Sequence, residues 1–202
     1  MEGKQPGKVI ADALDYLING SCENAAQLLK EEYPFNPPQQ MGKHNYSDKQ
    51  KLELWQREHF IDYYTGDRLV FPGSLMILSE VLPEVFPYQI NWKTSECHTL
   101  WWDLCPTVDH TVAVSKGGLD VVENYHTVSQ RTNSAKSLWP EDKFMKPYVL
   151  TAVDEKWDGL VERFIDYFKD GAHAESRQQD TQRSRYLNKW CHVVSQVRGV
   201  TL

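Results

Sequence analysis

The chain has few cysteines, no long apolar run and no surplus of positive charge. None of its four cysteines belongs to a C-x-x-C pair, a spacing that suits isolated thiols in a reducing compartment better than a thiolate zinc site. A metal site formed by Cys97, His98 and Cys105 is the alternative, although their number and spacing suit zinc poorly. No apolar run approaches the roughly 20 residues that a membrane-spanning helix needs, and residues 1–4 lead into no apolar segment typical of a signal peptide. We therefore expect a cytoplasmic protein with no membrane partner.

The formal net charge is −6, which is unfavourable for a protein that binds nucleic acid. The balance is uneven, however, because residues 171–202 carry five Arg or Lys side chains and only two acids. An acidic protein can bind phosphate through such a local basic strip together with a bound cation. The overall charge therefore does not exclude a nucleic-acid partner.

Apolar residues recur at helical spacing over most of the chain. In the segment 8–32 they fall three or four apart, and Asn19-Gly20 interrupts the pattern, which predicts two short helices. Ser47 and Gln50 form a capping box for a third helix near 48–60. Further helices are predicted at about 74–82, 95–104, 129–138, 154–169 and 181–197, and a short hairpin is predicted around Gly66.

One central segment has a different composition, with β-branched residues and many polar functional groups. The stretch Thr107 to Val112 is typical of a strand, and Gly117-Gly118 supplies a tight turn after it. The helix that follows carries Asn133 and Lys136 three residues apart, and therefore on one face. A hairpin packed against this helix would bring Asp109 and Asn133 to one point.

Asp109 and His110 are neighbours on the predicted strand. On an ideal strand their side chains would point to opposite sides. A site that uses both therefore requires a twist or bend at the strand end, where the Gly-Gly turn follows directly.

The order and spacing of these groups resemble the HNH, or ββα-metal, nuclease motif. In that motif Asp-His opens a hairpin, a Gly-Gly turn and Glu-Asn follow, and a terminal His or Asn with Lys three residues on closes it. The residues that carry the resemblance are Asp109-His110, Lys116-Gly117-Gly118, Glu123-Asn124 and Asn133-Ser134-Ala135-Lys136. The close match covers roughly residues 105 to 140, and the flanks 62–66 and 157–160 resemble bacterial HNH proteins more loosely.

The resemblance implies an α+β fold, with a mostly helical chain around a ββα-metal hairpin-helix core. We expect an N-terminal helical region (1–60), a nuclease core (61–140) with an insert (68–105), and a C-terminal helical region (141–202). A chain of this length is expected to pack as one compact domain. The insert and the flanking helices are expected to complete the core, carry DNA contacts or bind a partner.

The chemistry of the motif suggests a role for each residue. Asp109 and Asn133 would supply oxygen ligands for a divalent cation, and two protein oxygens with open positions suit Mg²⁺ or Mn²⁺. His110 is the candidate general base, because a neutral imidazole can take a proton from the attacking water. The family implies that Asn124 braces the loop between the strands and so orients His110. His126 could approach the phosphate or serve as a hydrogen-bonded hairpin residue. The candidates for contact with phosphate oxygens are Lys116, Arg131 and Lys136.

The chain departs from the family at two turns. Many HNH proteins carry two C-x-x-C pairs there that bind a structural zinc. The resemblance places those positions at Asp62, Thr65, Ser129 and Thr132, and none is cysteine. We therefore expect no structural zinc, with apolar packing and hydrogen bonds holding the two turns instead. Ala113 also stands where the motif usually has proline.

The sequence therefore predicts an HNH endonuclease that hydrolyses phosphodiester bonds in DNA. The resemblance implies 5′-phosphate and 3′-hydroxyl ends and a setting in bacterial restriction or anti-phage defence. One alternative is a catalytically silent HNH-like subunit that binds DNA or a partner protein within a larger complex. Another is a nuclease directed at RNA. Cutting of both strands would require a homodimer or two successive nicks, and a defence-system partner protein is a further expectation.

Overall fold

The computed structural model divides the chain into two compact units. The first spans Met1–Met41 and the second spans Gly42–Leu202. The third helix of the chain therefore belongs to the second unit. The residues that the structure describes are 5–32, 34, 46–114, 117–137, 144–152, 154–171, 173–179 and 181–202.

The first unit is a pair of helices. Helix α1 covers Pro6–Ile18 and helix α2 covers Cys22–Glu32. Between them Gly20 adopts a φ of +74°, which glycine reaches without the steric cost that a side chain would add. The predicted interruption at Asn19-Gly20 is confirmed. The buried residues of the pair are Val9, Ala13 and Ala25.

The second unit combines helices with a two-stranded sheet. Its described residues form the helices α3 (Asp48–Arg57), α4 (Pro72–Val81), α5 (Leu100–Leu104), α6 (Gln130–Lys136), α7 (Val161–Phe168), α8 (Glu175–Gln178) and α9 (Gln182–Arg198). Its strands are β1 (Pro106–His110) and β2 (Tyr125–Ser129), and short 3-10 turns cover Val122–Asn124, Asp154–Lys156 and Lys169–Gly171. The expectation of a mostly helical α+β chain is confirmed. Within the described ranges no helix is long and apolar enough to cross a bilayer.

Helix α3 begins with the predicted capping box. The Ser47 hydroxyl accepts the Gln50 backbone N–H at 3.2 Å, and the Gln50 side chain accepts the Ser47 N–H at 2.8 Å. Two backbone donors that would otherwise lack partners are thereby satisfied. The helix ends at Arg57 rather than near residue 60, because His59 and Phe60 turn to φ values of +54° and +53°.

The segment around Gly66 forms a turn rather than the predicted hairpin. A single antiparallel bridge joins Ile61 to Arg68, and the Asp62 N–H donates to the Asp67 carbonyl oxygen at 2.9 Å. These contacts reverse the chain without forming a strand on either side.

Two further predicted helices are shorter than expected. The helix predicted over 95–104 is confined to α5. The helix predicted over 154–169 is interrupted because Gly159 and Leu160 adopt φ values of +67° and +65°, which a right-handed helix does not include. A 3-10 turn and α7 lie on either side of this interruption.

Aromatic side chains form the core of the second unit. Trp55 of α3 and Trp190 of α9 have ring centroids 5.7 Å apart. Phe71 contacts both Trp190 and Phe164 of α7, each at 5.1 Å. All four rings are buried, and large rings of this kind dominate the energetics of a core. They hold α3, α7 and α9 around the start of α4.

The two strands form an antiparallel hairpin, and α6 begins directly after it. Pro106 pairs with Ser129 at one end, and His110 pairs with Tyr125 at the other. The Ser129 hydroxyl accepts the Thr132 N–H at 2.9 Å and so caps α6. Helix α6 contacts both strands. The predicted order of hairpin and then helix is therefore present.

A buried carboxylate joins the two turns that the resemblance assigns to zinc. Asp62 is 0% exposed. Its Oδ1 accepts the N–H groups of Tyr64 and Thr65 at 3.0 and 3.1 Å, and its Oδ2 accepts the Ser129 N–H at 2.7 Å. The Ser129 hydroxyl in turn lies 2.8 Å from the Thr132 hydroxyl. Hydrogen bonds thus connect all four positions at which many HNH proteins have cysteine.

Asp62→Ala is expected to destabilise the second unit by about 3 kcal/mol or more, because three backbone donors lose their acceptor and each buried unpaired donor costs about 1–3 kcal/mol. Urea unfolding followed by tryptophan fluorescence measures the change. Asp67→Ala, an exposed acid in the same turn, is the matched control and should cost less than about 1 kcal/mol. Equal stability of the two variants would contradict the structural role of Asp62.

Candidate active site

The pleat of β1 separates the two neighbouring candidate side chains, Asp109 and His110. Asp109 pairs in register with His126, and His110 pairs with Tyr125. Directly opposed residues share a face of the sheet, so Asp109 and His126 lie on one face and His110 and Tyr125 on the other. The rings of His110 and Tyr125 meet edge to face with centroids 5.0 Å apart. A site that uses both Asp109 and His110 must therefore form at the end of β1.

Lys136 of α6 holds the Asp109 carboxylate. Its Nζ lies 2.8 Å from Oδ2 and 3.1 Å from Oδ1 of Asp109, and it donates to the His110 carbonyl oxygen at 2.7 Å. The Tyr64 hydroxyl donates to Oδ2 of Asp109 at a longer 3.4 Å. The Lys136 and Asp109 side chains are only 1% and 7% exposed, so solvent screens this pair little. Lys136 thereby ties the helix to the strand.

Asn133 lies on α6 one turn before Lys136. The spacing of three residues puts the two side chains on one side of the helix. The Asn133 side chain is half-buried. Among the described residues its carboxamide forms no hydrogen bond, either to Asp109 or to another group. The structure therefore brings Asp109 together with Lys136, while a joint site of Asp109 and Asn133 stays a prediction.

A carboxylate that was not predicted from the sequence holds His110. The Nε2 atom of His110 lies 3.0 Å from Oδ1 of Asp120, and the Tyr125 hydroxyl donates to the same oxygen at 2.7 Å. The His110 side chain is 10% exposed and that of Asp120 is 27% exposed. Burial, with the bond to Asp120, raises the pKa of Tyr125, so its hydroxyl keeps the hydrogen that it donates. The available signal was an acid two residues after the Gly-Gly turn, where the loop returns toward the end of β1.

Asn124 bonds to both ends of the loop between the strands. Its Oδ1 accepts the Val112 N–H, and its Nδ2 donates to the carbonyl oxygens of Val112 and Leu119, each at 2.9 Å. Gly118 is needed beside it, because a Cβ there would lie 1.8 Å from the Val112 carbonyl oxygen. The geometry is that of a brace, and its effect on His110 stays a prediction.

A second imidazole lies on the Asp109 face of the hairpin. The Nδ1 atom of His126 is 3.3 Å from Oε1 of Glu58, and the Tyr63 ring stacks on the imidazole at 3.6 Å. Oε2 of Glu58 accepts the Thr127 N–H at 2.6 Å. Burial alone would raise the pKa of Glu58, but the bonds from His126 and Thr127 together lower it. His126 is therefore a hydrogen-bonded hairpin residue, one of the two roles expected for it.

The three side chains predicted to contact a substrate phosphate, Lys116, Arg131 and Lys136, have different surroundings. Lys116 lies outside the described residues. Arg131 is exposed, forms an ion pair with Asp103 of α5 and lines a cavity of about 370 Å³. Lys136 is buried against Asp109, so in this arrangement its ammonium group does not reach a phosphate. In this structure Lys136 is an internal cation, and its contact with a phosphate stays a prediction.

Ion pairs also engage the basic C-terminal segment. Three of its cations pair with acids of other helices, namely Arg183 with Glu80, Lys189 with Asp48, and Arg198 with Glu162. These acids neutralise part of the local charge. The segment therefore offers a weaker phosphate-binding strip than its composition indicates.

The oxygen donors expected at a divalent cation are compatible with Mg²⁺ or Mn²⁺. A carboxylate has about four lone-pair sites on its two oxygens, and Lys136 contacts each oxygen of Asp109 once, so the carboxylate can also bind a cation. Mg²⁺ binds through one or two carboxylates and keeps several waters, which suits Asp109 with Asn133. The like charge of Lys136 lowers the affinity of such a site. In the described part of the chain no three His, Cys, Asp or Glu side chains are grouped to hold a metal ion, which disfavours the site from Cys97, His98 and Cys105.

Comparisons with known proteins identified no relative of this chain. No protein-family model matches the chain, and no curated protein or solved structure matches it. The assignment of the site therefore depends on the residues and contacts described above.

Lys136→Met is expected to destabilise the second unit by about 3–5 kcal/mol, because loss of one partner leaves the buried Asp109 charge uncompensated. Urea unfolding measures the change, and the exposed Lys146→Met is the matched control. Adding Asp109→Asn to Lys136→Met should restore part of the stability, since it removes the unpaired charge. A double variant no more stable than Lys136→Met would contradict the pairing.

Glu58→Gln should lower stability at neutral pH and have little effect in acid. A carboxyl group whose folded pKa lies below its unfolded value stabilises the fold above the unfolded pKa, and that contribution is lost as the pH falls through the folded pKa. The difference in unfolding free energy from wild type should be largest near pH 7 and shrink below about pH 4. Urea unfolding at several pH values tests this, with the exposed Glu53→Gln of α3 as control. A difference that does not vary with pH would argue against the lowered pKa.

Proposed function

We propose that this chain is an HNH endonuclease that hydrolyses phosphodiester bonds in DNA with Mg²⁺ or Mn²⁺. The observation that carries the proposal is the link between α6 and β1, in which Lys136 binds the Asp109 carboxylate at 2.8 Å and the His110 carbonyl oxygen at 2.7 Å. Because Asn133 lies one turn earlier on α6, this link favours its approach to Asp109. The contact supports the hairpin-helix arrangement that the motif requires.

The roles of the residues follow from their chemistry. Asp109 and Asn133 hold the cation through oxygen atoms, and His110 takes a proton from the attacking water. The cation, when bound, stabilises charge on the phosphate and on the departing 3′ oxygen. Lys116, Arg131 and, if its pair with Asp109 opens, Lys136 are the candidates for contact with the other phosphate oxygens. The ends expected are a 5′-phosphate and a 3′-hydroxyl.

The biological setting belongs to the same proposal. On resemblance alone we place the activity in bacterial restriction or anti-phage defence, with a homodimer or a defence-system protein as partner. One cation site cuts one strand at a time, so a dimer or two successive nicks would complete a double-strand break.

A second candidate function is a catalytically silent HNH-like subunit that binds DNA or a partner protein within a larger complex. The observation that favours it is the limited access to both functional groups. Lys136 already pairs with the Asp109 carboxylate, and the His110 side chain is 10% exposed. Such a subunit would bind without cutting.

The wild-type protein is expected to nick supercoiled plasmid DNA in the presence of Mg²⁺ or Mn²⁺. His110→Ala should lower the nicking rate by about 10²–10⁴-fold, because the general base is lost. The products should be ligatable without end treatment, as 5′-phosphate and 3′-hydroxyl ends are. Gel electrophoresis of timed samples measures the rate.

The matched control is His192→Ala, which removes an exposed imidazole that is hydrogen-bonded to Gln196 on the same helix and should cut at the wild-type rate. Cutting by His110→Ala at the full rate would remove His110 from the mechanism. Binding of DNA without cutting by the wild type would favour the silent subunit. Parallel assays on duplex DNA, single-stranded DNA and RNA would identify a nuclease directed at RNA.

A further inference from the structure

A carboxylate and a phenol together hold the imidazole of His110. Oδ1 of Asp120 lies 3.0 Å from Nε2 of His110 and accepts the Tyr125 hydroxyl at 2.7 Å. Tyr125 is also the cross-strand partner of His110, and their rings meet edge to face. The Asp120 carboxylate is therefore positioned by two contacts, one with the His110 imidazole and one with the Tyr125 hydroxyl.

This contact determines which nitrogen of the neutral ring carries the hydrogen. An ionised carboxylate only accepts hydrogen bonds. Nε2 of His110 must then be the donor to Asp120, and in the neutral ring the lone pair lies on Nδ1. A ring held in one tautomer presents the same nitrogen to a proton in every molecule.

Residues other than His110 position the loop that carries Asp120. Asn124 bonds to Val112 and Leu119 on either side of the loop, and Gly118 lets the chain approach the Val112 carbonyl oxygen. The Asp120 side chain is more than a quarter exposed, so it does not fill the core. Its position is explained better by its contacts with His110 and Tyr125 than by packing.

We infer that Asp120 is a positioning residue for the His110 base, fixing the tautomer and the orientation of the imidazole. This inference rests on the proposed function, although the contact itself does not. In the hydrolysis, the water oxygen bonds to phosphorus as its proton passes to Nδ1 of His110. The bond from phosphorus to the 3′ oxygen breaks, its electron pair leaves with that oxygen, and a proton from solvent water completes the 3′-hydroxyl. Asp120 keeps the Nε2 hydrogen bond throughout and stabilises the imidazolium that forms, as a carboxylate does in other His-carboxylate pairs.

The first test compares Asp120→Asn with Glu53→Gln in the plasmid-nicking assay. An amide at position 120 can donate to Nε2 and so favour the opposite tautomer, which should lower kcat by about 10²-fold or more and leave KM nearly unchanged. Glu53 is an exposed acid of α3, outside the hairpin and the motif, so its neutral variant should keep the wild-type kcat. Asp120→Ala, which can neither accept nor donate, should lower kcat without reversing the tautomer.

The second test measures the tautomer directly and needs no activity. Nitrogen-15 NMR of protein labelled at its seven histidines distinguishes a protonated ring nitrogen from one that carries a lone pair. The His110 signals are those that vanish in His110→Gln. At a pH at which the ring is neutral, wild type and Glu53→Gln should show the hydrogen on Nε2, and Asp120→Asn should lose that preference.

The outcomes separate the inference from the proposed function. A fall in kcat at unchanged KM, together with a lost tautomer preference, would support both. Wild-type kcat or an unaltered tautomer in folded Asp120→Asn would overturn the inference. If the wild type cuts no nucleic acid, the proposed function fails, and the NMR comparison alone decides whether Asp120 holds the ring.

Discussion

The ion pair between Lys136 and Asp109 is the contact on which the candidate site depends. It joins α6 to β1, and the side chains of both partners are almost closed to solvent. The His110 carbonyl oxygen accepts a further hydrogen bond from the same ammonium group. Burying two charges costs desolvation energy that their attraction offsets only when the remaining bonds are well made. The same contact brings the helix that bears Asn133 to the strand, and it competes with any cation for Asp109.

Acidic side chains hold the hairpin from several directions. Glu58, just after α3, accepts the Thr127 N–H, and Asp62 in the following turn accepts the Ser129 N–H. Asp109 completes the set through Lys136. Carboxylates with two or three donors each thus anchor both strands, and hydrogen bonds with charged groups are the stronger kind. Part of the acidic excess of the chain is therefore structural, so the net charge alone does not identify a partner.

Many of the cations near the candidate site and in the C-terminal segment pair with acids of the same chain. Lys136 is internal, Arg131 pairs with Asp103, and three cations of the C-terminal segment pair with acids of other helices. Because acids already pair with these cations, little of their charge is available to bind a phosphate backbone. A nuclease with this surface would depend on its bound cation for substrate affinity more than a basic protein does, and a silent binding subunit would need a partner to supply positive charge.

The amino-acid sequence by itself determined the features that arise from neighbouring residues: the helical segments, the Ser47 capping box, the break at Asn19-Gly20, and the order of hairpin and helix. Periodicity and capping act within a few residues, so they can be recognised in the chain directly. Tertiary structure alone decided that Phe60 and Leu160 take positive φ values, that Lys136 turns inward to Asp109, and that Asp120 reaches His110. Each of these depends on packing or on charges brought together by the folded chain, and no local pattern specifies which distant partner a side chain will meet.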